Sequence, residues 1–360
     1  MKNTLITASL FLITITAFSQ NTIVVYGKVL DSANKQPLVN ASVFCMNTTQ
    51  GTVSNNDGYF YLKLPAGGYD MVVSYTGYEK NVVRISNNHL ASDTLTIELK
   101  KAEKTMEEVA IVASNEVKDG WEKYGTFFLE NFIGTTGNAA NCKLENPEAL
   151  HFFFNKKKNR LKVTAKENDL IIKNYALGYT IRYQLDSFTY EYNNSVSQFT
   201  GYPLFQEIDT TPSIKIQWVK NRARTYLGSR LHFMRAYYNN MLADEGFYVE
   251  KMAEDPRSAK GEYINNFYDS SFYLVDSGSA IVDWVGRYRI SYKSVLPDKK
   301  FLAEYKLPEN MRMQVTVIEL PDGFIIEQNG YFYNQNEMTN TGYWAWKKLA
   351  ELLPYDYYYQ

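Results

Sequence analysis

The sequence predicts a mainly β protein, in which an N-terminal seven-stranded β-sandwich precedes a strand-rich α+β domain with about three helices. Residues 23–99 contain short stretches of β-forming residues, separated by Gly, Pro and Asn turns at intervals of about ten residues. Residues 119–360 mix similar strands with segments whose apolar residues recur at helical spacing. The chain has 360 residues, 45% hydrophobic and 21% charged, so two domains with sizeable cores are expected.

Residues 1–19 have the pattern of a secretory signal peptide. Lys2 precedes an apolar stretch at 5–18, and Ala17 and Ser19 are the small residues expected before a cleavage point. The alternative is a permanent anchor, but crossing a bilayer takes about 20 apolar residues and Asn21 interrupts the stretch. We therefore expect an exported protein, in the periplasm or associated with the outer membrane or cell surface, without a transmembrane segment after cleavage.

Composition excludes several classes of protein. Lys and Arg total 38 against 39 Asp and Glu, a net charge of -1, whereas a nucleic-acid binder normally has a basic excess. With 3 His and 2 Cys, a disulfide scaffold and a zinc site with several protein ligands are not expected. Cys45 falls on the same face of its predicted strand as Ala41 and Val43, which is typical of a buried residue. Cys142 lies in a polar stretch of the other domain. We therefore favour two free thiols over a Cys45–Cys142 disulfide.

The strands of the first domain, residues 22–100, follow from its alternating pattern and its turns. Asn55-Asn-Asp-Gly58 is a strong hairpin signal because Asn and Gly tolerate positive φ, and Pro65-Ala-Gly-Gly68 predicts another turn. The predicted strands cover residues 23–30, 38–46, 51–54, 59–64, 69–75, 81–85 and 94–99. Seven short strands with this spacing are typical of a two-sheet sandwich.

Several motifs within residues 23–100 resemble one family, and they occur in its order and at its separations. They are Gly27-Lys-Val-Leu-Asp31, Pro37-Leu38, Ala41-Ser-Val43, Gly51-Thr52, Asp57-Gly58-Tyr-Phe60, Pro65-Ala-Gly-Gly-Tyr69 and Ser74-Tyr-Thr-Gly-Tyr78. This segment resembles the carboxypeptidase regulatory-like domain, which implies a transthyretin-like β-sandwich. The family commonly begins exported proteins of Bacteroidota and forms the N-terminal extension of TonB-dependent receptors.

The resemblance does not imply carboxypeptidase activity, because it concerns the accessory domain of those enzymes. His89, His151 and His232 are isolated, with no carboxylate three positions on, unlike a zinc peptidase site. Residues 105–113 resemble the segment that leads such receptors into their plug, but the residues that follow are too few for the rest of a receptor. Residues 101–118 are therefore interpreted as an interdomain linker.

The second domain, residues 119–360, is predicted to alternate strands with three helices. The first helix covers 119–133, with an apolar stripe of Trp121, Tyr124, Phe128 and Phe132. Ser229 is the predicted N-cap of the second helix, and residues 343–353 form the third. Residues 119–360 also resemble an uncharacterised extension that follows this sandwich in some exported Bacteroidota proteins. That resemblance implies no activity.

The densest cationic group of the second domain is the candidate ligand site. It comprises Arg222, Arg224, Arg230 and His232. These side chains suit a carboxylate, phosphate or sulfated sugar, because arginine binds such anions with paired hydrogen bonds. The alternative is structural ion pairing with carboxylates such as Glu207 or Asp209.

No catalytic motif was found, so no catalytic, cofactor-binding or metal-binding residue is assigned and no cofactor is expected. The favoured interpretation is a non-enzymatic, exported cell-envelope protein. Its sandwich would be a docking or binding module, and its partner an outer-membrane or envelope protein or a polysaccharide. The alternative is a polysaccharide-binding protein or a hydrolase that acts on envelope or environmental glycans.

Overall fold

The computed structural model describes residues 22–359, except 88–93, 103–114, 166–168, 256–257 and 259. The predicted signal peptide and most of the predicted linker, with the plug-like segment 105–113 and His89, lie outside the described residues. Among the described residues, no helix has both the length and the apolar character needed to cross a membrane.

The predicted seven-stranded sandwich is confirmed. Two sheets, with strand orders β4–β1–β7 and β3–β2–β5–β6, enclose one hydrophobic core. β1 pairs antiparallel with β4 and parallel with β7. Burial alternates along β4, as expected when one face of a strand packs on the core. The strands are β1 Thr22–Asp31, β2 Ser42–Cys45, β3 Gly51–Val53, β4 Tyr59–Pro65, β5 Tyr69–Ser74, β6 Asn81–Ile85 and β7 Thr94–Leu99.

The first part of the C-terminal domain is a six-stranded sheet covered by helix α1, Gly120–Phe132. Phe128 and Phe132 of the predicted apolar stripe are buried against this sheet, whereas Trp121 is partly exposed. The sheet has the order β8–β11–β12–β10–β9, with β13 paired to β12. Its strands are β8 Cys142–Leu144, β9 Leu150–Asn155, β10 Arg160–Ala165, β11 Leu170–Asn174, β12 Tyr179–Glu191 and β13 Val196–Glu207.

The second part contains two smaller sheets around a separate aromatic core. Their strand orders are β15–β14–β18–β19–β21 and β16–β17–β20. The strands are β14 Phe247–Met252, β15 Gly261–Tyr263, β16 Tyr273–Asp276, β17 Ser279–Val282, β18 Gly286–Tyr292, β19 Gln314–Leu320, β20 Phe324–Ile326 and β21 Thr339–Gly342. The remaining helices are α2 Pro212–Tyr226, α3 Arg230–Tyr238, α4 Lys299–Glu304 and α5 Tyr343–Trp346, with 3-10 turns at Ala139–Asn141, Pro147–Ala149 and Leu349–Glu351.

The structure confirms the mainly β fold class and changes the helices in two ways. Helices α2 and α4 were not predicted, so the described residues contain five α-helices instead of about three. The predicted helix at 343–353 is wrong beyond Trp346, because Lys347 leaves the helical conformation with ψ 96°. The predicted N-cap is confirmed, since the Ser229 side chain accepts a hydrogen bond from the His232 N–H.

Candidate functional site

The structure holds Arg222 in contacts within its own domain. Its Nε donates to the Leu177 carbonyl at 2.7 Å, and its Nη1 donates to Glu207 Oε1 at 2.6 Å. The guanidinium also lies over the Tyr179 ring, 4.0 Å from its centroid. These contacts match the structural alternative, in which Glu207 was the named partner.

Arg230 and His232 both lie in the first turn of α3 and have different neighbours. The Arg230 guanidinium lies 5.3 Å from the centroid of the Phe332 ring. The buried His232 ring packs against Tyr226, Phe247 and other rings. Arg230 therefore packs on the aromatic core of the second part, while His232 is enclosed by it.

The hydrogen bonds of His232 define its tautomer. The Gly228 N–H donates to Nδ1 at 3.1 Å, so Nδ1 carries no hydrogen. Nε2 lies 3.1 Å from Glu245 Oε2 and must be the donor to that carboxylate. Burial lowers the pKa of His232, and the Glu245 carboxylate opposes that shift. His232 therefore works as a neutral, structural side chain at neutral pH.

Arg224 is the one predicted cation that is exposed and lines a cleft. The cleft lies between the last turn of α2 and the segment around α5, and Lys347 and Gln314 line it as well. We call it the Arg224 cleft. The structure thus separates the four predicted residues: Arg222 and His232 are held by internal partners, Arg230 packs on an aromatic ring, and Arg224 faces open space.

Arg235 is a cation that the sequence analysis missed. It lies on α3, one turn after Leu231, and its guanidinium donates to three backbone carbonyls. Nε reaches Asn329 at 2.9 Å, Nη1 reaches Tyr357 at 2.8 Å and Nη2 reaches Tyr355 at 2.9 Å. Arg235 therefore fastens the aromatic C-terminal tail to the body of the domain.

The sandwich joins the C-terminal domain through backbone pairing at the free edge of β13. The Asn47 N–H donates to the Pro203 carbonyl, and the Phe205 N–H donates to the Thr48 carbonyl, both at 2.8 Å. Thr48 and Leu204 form a parallel bridge. The turn between β2 and β3 thus pairs in parallel with the edge of the six-stranded sheet over a few residues.

The outer face of β5 is covered at this junction. Asp70, Val72 and Ser74 alternate on that face; Asp70 accepts a hydrogen bond from Tyr331, and Ser74 from Gln184. Val72 between them is 0% exposed, although it is not part of the sandwich core. The C-terminal domain therefore takes up a face that an isolated sandwich would leave in water.

The C-terminal tail reaches back to the sandwich at the same junction. The Asp356 carboxylate accepts from the Thr49 N–H at 3.0 Å and from Gln50 Nε2 at 2.9 Å. The Asn329 amide exchanges two hydrogen bonds with the Gly68 backbone, at 3.0 and 3.1 Å. Side chains and backbone from both domains thus make the junction specific as well as apolar.

A second, larger cleft of about 380 Å³ lies beside the β14–β15 hairpin. We call it the aromatic cleft. Trp284 and Tyr288, stacked with ring centroids 4.6 Å apart, form its buried floor, and Tyr263 is an exposed wall. Two carboxylates, Glu262 and Asp283, and the Lys251 ammonium also line it. Rings combined with a few polar groups are typical of small-molecule sites.

Both cysteines are free thiols, as favoured from the sequence. Cys45 is buried in the sandwich core, and burial raises the pKa of Cys142 to about 12. Both are therefore poor nucleophiles at neutral pH. Within the part of the chain that the structure describes, no three His, Cys, Asp or Glu side chains converge as potential metal ligands.

Residues 25–111 match the family model of the CarboxypepD_reg-like domain, which confirms the resemblance assigned from residues 23–100. No curated protein matches the chain. Among solved structures, 65% of the chain aligns with 50% of a 9R-lipoxygenase from Cyanothece PCC8801, at 10% identity and a TM-score of 0.16. The aligned region thus spans half of that lipoxygenase, and so low a score carries no argument about fold or activity.

Proposed function

We propose that the chain is a non-enzymatic, exported protein of the cell envelope, whose sandwich is a docking module for the C-terminal domain of the same chain. The observation that carries this proposal is the junction, where Val72 and Phe44 of the outer sandwich face are 0% and 2% exposed. An apolar sheet face of a sandwich needs a partner. The C-terminal domain is that partner, and the joined unit presents its free surfaces to an envelope protein or polysaccharide.

The docking is tested with Val72→Asp in the chain purified without residues 1–19. Val82 lies directly opposite Val72 on β6 but is 41% exposed, so Val82→Asp is the matched control. We expect one cooperative unfolding transition for the wild type and the control, and two for Val72→Asp, because undocked domains unfold separately. Identical single transitions for both variants would contradict the docking role.

Export is tested by fractionating cells that express the full chain or the chain without residues 1–19. The full chain should reach the envelope or periplasmic fraction with its N-terminus shortened, which intact-mass measurement detects. The shortened gene product should stay in the cytoplasm. Cytoplasmic full chain that retains residues 1–19 would refute export and leave the docking result untouched.

Polysaccharide binding is the second candidate, and the aromatic cleft favours it. Sugar rings stack on aromatic faces, and carboxylates such as Glu262 and Asp283 accept hydrogen bonds from sugar hydroxyls. Glycan-array binding should be weakened by Tyr263→Ala and left unchanged by Tyr59→Ala, a similarly exposed tyrosine on the sandwich.

A hydrolase is distinguished from a binding protein by product release. If the purified chain liberates reducing ends from a bound glycan, Glu262→Gln and Asp283→Asn should abolish release while binding persists, because glycosidases use paired carboxylates. That outcome would overturn the non-enzymatic proposal. Binding without release would support it.

A further inference from the structure

The Arg224 cleft brings together polar side chains from three distant parts of the chain. Arg224 comes from the last turn of α2, Gln314 from the first residue of β19, and Lys347 from the residue after α5. The cleft has a volume of about 220 Å³, the space of about seven water molecules at roughly 30 Å³ each. It therefore suits a ligand of amino-acid or monosaccharide size.

Two cations line this cleft without a direct counterion. Lys347 Nζ lies 3.5 Å from the Thr225 carbonyl and 5.2 Å from the centroid of the Tyr343 ring, and burial lowers the pKa of its ammonium. Neither Lys347 nor Arg224 forms an ion pair with another described residue. Asp298 and Glu351 line the same cleft, and their charges partly oppose the lowering of the Lys347 pKa without forming an ion pair with it. A partly desolvated cation without an ion pair is stabilised by an anion that contacts it directly.

Gln314 contributes a hydrogen-bond acceptor that lacks a donor. Its side chain is 4% exposed, and its Oε1 has no hydrogen-bond partner among the described residues. Its Nε2 has only a long contact, 3.5 Å from the Leu296 carbonyl. Buried side-chain oxygens are nearly always hydrogen-bonded, so this one calls for a donor. A ligand that satisfies all three side chains carries an anionic group and a donor.

We propose that the Arg224 cleft binds a small carboxylate that has a hydroxyl or ammonium group next to it. Arg224 and Lys347 hold the carboxylate, and Gln314 accepts the hydrogen bond from the adjacent donor. Two kinds of molecule share this chemistry: the uronic-acid unit of an acidic glycan, and a free hydroxy or amino acid. This carboxylate site is separate from the aromatic cleft and is independent of the proposed function.

The test is calorimetric titration of the chain purified without residues 1–19, with glucuronate, lactate, serine and glucose as separate probes. Saturable binding of glucuronate alone identifies an acidic glycan as the source, and binding of lactate or serine identifies a free acid. Glucose lacks the carboxylate and should not bind. If none of the three carboxylates binds at millimolar concentration, or if glucose binds equally well, the proposal is overturned.

Variants locate the binding in the cleft. Arg224→Gln removes an exposed guanidinium and should weaken binding about ten- to hundredfold, the effect of losing a charge-assisted hydrogen bond. Lys347→Met should weaken it similarly. Arg182→Gln, which removes the same charge from an arginine paired with Asp169 on another sheet, is the control and should leave affinity unchanged. Equal affinities for Arg224→Gln and wild type would refute the site even if a carboxylate binds.

Discussion

Replacement of Arg235 by Met is expected to destabilise the protein by about 3 kcal/mol. The substitution removes three hydrogen bonds from a charged guanidinium to the carbonyls of Asn329, Tyr355 and Tyr357, each worth about 1 kcal/mol or more. The stacking on Tyr226, at 5.7 Å from the ring centroid, is lost as well. Freed tail residues regain backbone entropy, which offsets part of the loss. Urea unfolding followed by tryptophan fluorescence measures the difference.

Two further variants test whether the Arg235 contacts hold the C-terminal tail. Arg235→Lys keeps the charge, but one ammonium cannot reproduce a fork that reaches three carbonyls, so we expect about half of the loss. Arg182→Met removes an arginine from an exposed ion pair with Asp169 and should cost less than about 1 kcal/mol. If Arg235→Met is no more destabilising than Arg182→Met, the three contacts do not clamp the tail.

Two other positions, His232 and Gly178, give predictions that follow from their immediate surroundings. Burial lowers the pKa of His232 in the folded protein, so the unfolded chain binds this proton first as the pH falls. The free energy of unfolding should therefore decrease below pH 6.5, by up to about 1.4 kcal/mol per pH unit. The decrease should be steeper than in His232→Gln. Equal pH slopes in chemical denaturation would show that His232 is not the group concerned. Gly178→Ala should cost about 2–4 kcal/mol, because φ is +73° and the new Cβ would lie 2.1 Å from the Trp218 ring. Gly77 has φ +81° and open space around it, so Gly77→Ala measures the cost of the backbone conformation alone. It should lower the free energy of unfolding by about 1 kcal/mol, measured by thermal unfolding.

The sandwich could be predicted from the sequence because each of its strands carries a local signal. Alternating burial and turns such as Asn55–Gly58 specify both a strand and its end. Helix α2 lacks such a signal. Its first turns expose Ile214 and Ile216 to solvent, so its apolar residues form no continuous stripe. Pro212 at its first position was the available clue.

The candidate sites depend on contacts between residues far apart in the chain, and the sequence does not encode those locally. Arg224 was selected for its basic neighbours, yet its companions in the cleft, Gln314 and Lys347, lie about a hundred residues away in the chain. Lys347 was assigned to a continuous helix, which hid its position beyond the end of α5. No spacing rule could have joined these three residues before the fold was known.

The turn of the sandwich that pairs with β13 also affects how the chain avoids self-association. A long edge strand has unpaired backbone groups, and a second molecule can pair its own strand with them. The backbone of Asn47 and Thr48 forms hydrogen bonds with the edge of β13 at Pro203–Phe205. The N-terminal domain thus blocks this part of the edge of β13 from pairing with a second chain.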